Sequence, residues 1–82
     1  MNIHPSSIIS SSAKIDSSVI IGPFCIIGDH VEIKSGTSIL SHVVIKGPTV
    51  IGKNNIIYHQ VYISLNYTKS SALIYDNNSH NN

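Results

Sequence analysis

The sequence predicts an all-β chain wound as a parallel β-helix of hexapeptide repeats. Three observations predict it. Isoleucine recurs at every sixth position: Ile3, Ile9, Ile15, Ile21, Ile27, Ile33, Ile39, Ile45, Ile51, Ile57 and Ile63, until Lys69 ends the series. Two positions before these isoleucines stand small or medium residues: Ser7, Ala13, Val19, Cys25, Val31, Thr37, Val43, Thr49, Asn55 and Val61. Glycine and turn-forming residues fall between the apolar pairs. A period of six fits neither a helix nor a plain amphipathic strand. It fits a coil that turns a corner every six residues and needs one bulky apolar side chain inside each flat side.

Each hexad is read in the same way. The periodic isoleucine and the residue two before it point to the same side of a strand, so both face the interior. The isoleucine fills the prism and the smaller residue fits near a corner. Gly22, Gly28 and Gly52 follow their isoleucines directly, while Gly36 and Gly47 fall in turns. Asp29, His30, Ser35, Asn54 and Asn55 lie in or beside corners, where Asx turns and positive φ are tolerated. Three sides make an 18-residue coil, so residues 1–64 give about three and two-thirds coils.

Stacking residues 18 apart gives the outer faces. One side sets Lys14 against Glu32 and Asp16 against Lys34, a solvated charged face. A second carries Ile8, Ile26, Val44 and Tyr62 in one outward column. The third carries Ile20, Leu40, Ile56 and Tyr58, with Ser38 between. Two apolar sides are expected to be buried against other subunits, in a threefold arrangement with heterologous contacts. Residues 65–82 lose the period. They read as an irregular polar tail with a remnant strand at 73–75 and an Asn-rich end.

Composition narrows the function. The chain has 82 residues, a net charge of +1 and 11% charged residues, so it offers neither a basic stripe for nucleic acid nor an acidic tail. The single cysteine, Cys25, excludes an intramolecular disulfide framework. No signal peptide and no apolar run long enough to span a membrane are present, which makes cytoplasm the expected compartment.

Candidate chemistry is sparse. His42 stacks with Phe24 and Gln60, and His59 with Ser41 and Pro23. They share no column, although they can be neighbours around a corner, and no metal site is expected. His4 and His30 read as surface residues, and Cys25 as a small inward-facing hydrophobe. Asp16, Asp29, Glu32 and Asp76 are too scattered to make a carboxylate pair. No Ser/His/Asp order or phosphate-binding glycine loop is visible. The residues by themselves give a fold and an expected oligomer, with no catalytic residue.

The wording of the repeats adds a resemblance. The run Ile3-His4-Pro5-Ser6-Ser7-Ile8-Ile9 is similar to the opening coil of the UDP-N-acetylglucosamine acyltransferases of lipid A biosynthesis. Ile21 to Ile33, with its Gly-Pro-Phe-Cys stretch, resembles the second coil. Ser41 to Ser64, with Ser-His-Val-Val and Ile-Gly-x-x-Asn, resembles the next. The resemblance covers residues 3–64 nearly without gaps.

It implies a left-handed parallel β-helix in a cytoplasmic homotrimer. It implies transfer of a 3-hydroxyacyl chain from acyl carrier protein to the 3-hydroxyl of UDP-N-acetylglucosamine, the first step of lipid A biosynthesis, without a cofactor. In the family a histidine downstream of the matched stretch acts as general base. None of the five histidines here aligns with it, so this chain is expected to be a truncated portion, inactive alone. No nucleic acid or membrane insertion is implied.

Departures from the family lie in the tail. Ser64 is followed at once by Leu65-Asn66-Tyr67, and Leu73-Ile74-Tyr75-Asp76-Asn77-Asn78 resembles the family's returning hexad. The substrate loop between them looks eroded. Asn66 stands where the family has a substrate-side Lys, and Tyr75 where Gly is usual. Any remnant of substrate binding is therefore expected near Asn66 and Tyr67. Two alternatives stay open. One is a non-catalytic β-helix assembly module. The other is the N-terminal part of another hexapeptide acyltransferase, such as the N-acyltransferase acting later in the same pathway, which the first hexad at Ile3 disfavours.

Overall fold

The computed structural model describes residues 1–64 and 75–76. Eleven strands of two or three residues carry the repeat: β1 (Asn2–Ile3), β2 (Ile8–Ile9), β3 (Lys14–Ile15), β4 (Ile20–Ile21), β5 (Ile26–Ile27), β6 (Val31–Ile33), β7 (Ser38–Ile39), β8 (Val44–Ile45), β9 (Thr49–Ile51), β10 (Asn55–Ile57) and β11 (Tyr62–Ile63). Each of the eleven ends on a periodic isoleucine. No helix occurs among the described residues.

The strands stack in parallel on three faces. The first face runs β1-β4-β7-β10, the second β2-β5-β8-β11 and the third β3-β6-β9. Ile3 pairs with Ile21, Ile21 with Ile39 and Ile39 with Ile57, so each strand lies on the one a full coil earlier. This is a parallel β-solenoid of about three turns, consistent with the left-handed form. A twelfth strand, β12 (Tyr75–Asp76), runs antiparallel along β10, with Ile56 opposite Tyr75. Of the expected remnant strand at 73–75, only residue 75 falls in β12. Residues 73 and 74, like 65–72 and 77–82, lie outside the described residues.

The interior holds the isoleucine column. Ile21, Ile27, Ile33, Ile39, Ile45, Ile51, Ile57 and Ile63 are at most 1% exposed, and Val19, Cys25, Val31 and Val43 are buried at the corners beside them. Burying one such side chain contributes about 1.5–3 kcal/mol. Ile3, Ile9 and Ile15 are only half-buried and pack on this core from its first coil. Close stacking also requires glycine at two corners. A Cβ on Gly22 would stand 1.9 Å from the Leu40 carbonyl oxygen, and one on Gly47 would stand 1.8 Å from that of Asp29.

The corners follow one rule. The third residue after the interior isoleucine takes a left-handed backbone at Phe24, His30, Gly36, His42, Asn54 and Gln60. In the first coil that slot is serine every time. Ser6, Ser12 and Ser18 hydroxyls accept the amide N–H of Phe24, His30 and Gly36 at 3.0, 3.0 and 2.8 Å. Each of these serines in turn donates its own amide to a side chain two residues back: His4 Nδ1 at 3.1 Å, Ser10 Oγ at 3.3 Å and Asp16 Oδ1 at 2.9 Å. The first coil is thus an N-terminal layer whose side chains meet amides of the coil above.

Inside the corners, inward-facing hydroxyls do similar work. Ser7 donates to the Gly22 carbonyl at 2.7 Å and accepts from the Cys25 amide at 2.9 Å. Thr37 repeats this at the corner leading into the first face, with the Gly52 carbonyl at 2.8 Å and the Asn55 amide at 3.2 Å. Asn55 is the next residue in that column. Its Oδ1 is buried without a hydrogen-bond partner.

Candidate functional site

The corner between the first and second faces brings one serine and two histidines together. Pro23, Ser41 and His59 occupy one column, and Phe24, His42 and Gln60 the next. Stacking sets Ser41 directly below His59, and their side chains meet: Ser41 Oγ lies 2.6 Å from His59 Nδ1. His42, the adjacent residue, turns its own Nδ1 to the same oxygen at 3.3 Å. One hydroxyl therefore sits between two imidazoles.

Backbone geometry produces this convergence. His42 has φ of 57°, and its amide donates to the Pro23 carbonyl at 3.1 Å. Gln60 has φ of 63°, and its amide donates to the Ser41 carbonyl at 3.0 Å. The His42 ring leans on Phe24, with centroids 5.1 Å apart and planes at 32°. Both histidines are exposed and Ser41 is half-buried. His4 makes a simpler version in the first coil, its Nδ1 accepting from the Ser6 hydroxyl at 2.8 Å.

The third face is hollowed. A cavity of about 430 Å³ is lined by Lys14, His30, Glu32, Pro48, Thr49 and Val50 among others. A second of the same volume lies beside it along Asp16, Lys34 and Lys53. Lys14 stands opposite Glu32 and Glu32 opposite Val50. Val50, 49% exposed, interrupts the expected run of charge on this face. At its edge, the Asp16 carboxyl is held below the usual aspartate range, chiefly by the Ser18 amide N–H and then by the Ser18 hydroxyl. Asp29 meets the Ser10 hydroxyl and, at 3.5 Å, that of Ser12. Among the described residues no carboxylate is a hydrogen-bond partner of either His42 or His59.

The two apolar faces lie as the 18-residue stacking predicts. Ile8 pairs with Ile26, Ile26 with Val44 and Val44 with Tyr62. Ile8, Ile26 and Tyr62 are 65%, 46% and 52% exposed, and on the first face Ile20 and Tyr58 are 50% and 45% exposed. These side chains present two apolar stripes along adjacent sides of the prism.

Cys25 is buried, its Sγ 3.6 Å from the Pro23 carbonyl oxygen, which agrees with an inert packing role. His30 is exposed at the rim of the third-face cavity. Asn66 and Tyr67, the expected remnant of a substrate loop, lie outside the described residues. The sequence placed His59 over Ser41 correctly but missed that the hydroxyl also reaches His42. The Ser-His dipeptide one coil below a histidine is the signal that would have found it. Among the described residues no three of His, Cys, Asp and Glu come together.

Residues 6–41 match the family described as bacterial transferase hexapeptide (six repeats). Two relatives bear the name acyl-[acyl-carrier-protein]–UDP-N-acetylglucosamine O-acyltransferase, one from Psychrobacter sp. (strain PRwf-1) and one from Thermodesulfovibrio yellowstonii (strain ATCC 51303 / DSM 11347 / YP87). Each is 54% identical over 56 residues, which is 68% of this chain and 22% of the relative. The chain thus spans about a fifth of the length of these relatives. It is a hexapeptide-repeat β-helix that resembles the N-terminal portion of the UDP-N-acetylglucosamine O-acyltransferases.

Proposed function

We propose that this chain supplies the opening coils of an acyltransferase that moves a 3-hydroxyacyl group from acyl carrier protein to the 3-hydroxyl of UDP-N-acetylglucosamine, in the first step of lipid A biosynthesis. The observation that carries the reading is the in-register stack from β1 to β11 together with 54% identity to enzymes of that name. The coils are a scaffold. They set the height and pitch on which later coils are laid, and their apolar stripes on the first and second faces join subunits into a cytoplasmic homotrimer.

The described coils do not perform the transfer themselves. Abstracting the sugar hydroxyl proton needs a positioned base, a contribution of typically 10²–10⁴-fold. His42 and His59 stand on an exposed corner and share a serine instead of a carboxylate partner. Positioning of both substrates is a second, independent requirement.

The assay uses the purified chain, acyl carrier protein loaded with a 3-hydroxyacyl group, and labelled sugar nucleotide. The expected result is no acylated product. Turnover abolished by His42→Ala or His59→Ala would overturn the scaffold reading and make this corner catalytic.

A further inference from the structure

We infer that Ser41, His42 and His59 form a binding site for a divalent transition-metal ion of the zinc class. Both Nδ1 atoms lie within 3.3 Å of the single Ser41 oxygen, so two imidazole nitrogens face one point of space. Neutral imidazole nitrogen suits zinc, nickel and copper, whereas calcium and magnesium demand carboxylate and carbonyl oxygen. Zinc takes histidine nitrogens at about 2.0–2.1 Å, so small movements of two exposed rings bring both within bonding distance. The Ser41 hydroxyl now holds the point on which the two nitrogens converge; a metal ion takes that place, the hydroxyl turns aside to line the site, and water completes the shell.

Without an ion, the two hydrogen bonds call for two different tautomers. A serine hydroxyl has one proton and can donate it to only one Nδ1. The other ring must then carry its own proton on Nδ1, so the two histidines need opposite tautomers. A metal ion replaces this arrangement with a single tautomer. Both rings present Nδ1 lone pairs and both keep their proton on Nε2, toward solvent. The scaffold is already fixed beneath them. The His42 amide is tied to Pro23, the amide after His59 is tied to Ser41, and the His42 ring is backed by Phe24. His4 and Ser6 occupy the same corner in the first coil with a single imidazole, so the convergence is particular to the upper coils.

The test is calorimetric titration of the 82-residue chain with Zn²⁺ near neutral pH. Zn²⁺ is preferred to Cu²⁺, which would seek backbone amides near the N-terminal amine and His4. The expected result is one Zn²⁺ per chain. His42→Ala or His59→Ala should each weaken it by about tenfold or more, a loss that even an outer partner of a metal ligand can produce. His4→Ala and His30→Ala should leave it unchanged. On the unsubstituted chain, ¹⁵N NMR should show the Nδ1 resonances of His42 and His59 moving on addition of Zn²⁺, and those of His4 and His30 staying still. The inference is overturned if the chain takes up no Zn²⁺, if the affinity survives loss of either histidine, or if only Nε2 resonances move.

Discussion

The hydroxyl of Ser6 accepts the amide hydrogen of Phe24, one coil above it, at 3.0 Å. Ser12 and Ser18 repeat the contact at the other two corners. Together they tie the first coil to the second at all three edges of the prism. Replacing any of the three by alanine should cost about 0.5–1.5 kcal/mol, the usual net worth of one hydrogen bond. The three sites share no partner, so the triple variant should lose close to the sum. Urea unfolding followed by circular dichroism measures both.

The isoleucine column should be much less tolerant. Ile45 is fully buried and is stacked between Ile27 and Ile63. Ile45→Ala should lower stability by about 2–5 kcal/mol through lost transfer energy and the cavity left behind. Ile8→Ala, at an exposed position on the same face, should change it by less than about 0.5 kcal/mol. Equal effects at the two positions in urea unfolding would contradict the interior assignment.

How far these features were readable in the sequence differs by level. The interior was readable in full, because a six-residue spacing of one large side chain has few structural solutions. The outer columns followed by counting 18 residues, as Ile8, Ile26, Val44 and Tyr62 show. The corners were less readable. Ser6, Ser12 and Ser18 lie in serine-rich stretches that resemble mere compositional bias. Their regular role appears only when each hydroxyl is seen beneath an amide of the next coil. The Ser41–His42–His59 convergence depends on side-chain reach around a turn, which column counting does not describe. Val50 entered the charged face unnoticed because the charge pattern was traced over only two coils.

Backbone conformation gives a further expectation. Gln60 has φ of 63° and is exposed. A non-glycine residue pays about 1–2 kcal/mol for a left-handed backbone. Glycine returns part of that as about 0.5–1 kcal/mol of extra unfolded-state entropy. Gln60→Gly should therefore leave stability unchanged or raise it slightly, and Gln60→Val should lower it. Thermal unfolding of the two variants side by side checks the order.

Acid should weaken the corner between the third and first faces. The Asp16 carboxylate accepts the Ser18 amide and hydroxyl at 2.9 and 2.7 Å, and these bonds hold its pKa below the ordinary 3.8. A lowered folded value means a stabilising contribution present above the unfolded pKa and lost as pH falls through the folded one. The wild-type chain should thus lose stability below about pH 4 more steeply than Asp16→Asn, which cannot ionise. Parallel acid titrations by circular dichroism would expose the difference. Identical profiles would show that the Ser18 contacts do not persist in solution.

The apolar stripes should govern assembly. In a chimera carrying residues 1–63 of this chain on the remaining coils of the Psychrobacter relative, Val44→Glu would place a charge in the column between Ile26 and Tyr62. Light scattering should then show a smaller mass than for the unsubstituted chimera. Lys14→Glu, on the third face, should leave the mass unchanged.

The same chimera tests the central claim, that these coils are the scaffold of an acyltransferase. Its rate of acyl transfer from loaded acyl carrier protein to UDP-N-acetylglucosamine would be measured against that of the intact relative. The scaffold account predicts transfer by the chimera, persisting when both His42 and His59 are replaced by alanine. A chimera that folds and assembles like the relative yet transfers no acyl group would contradict it.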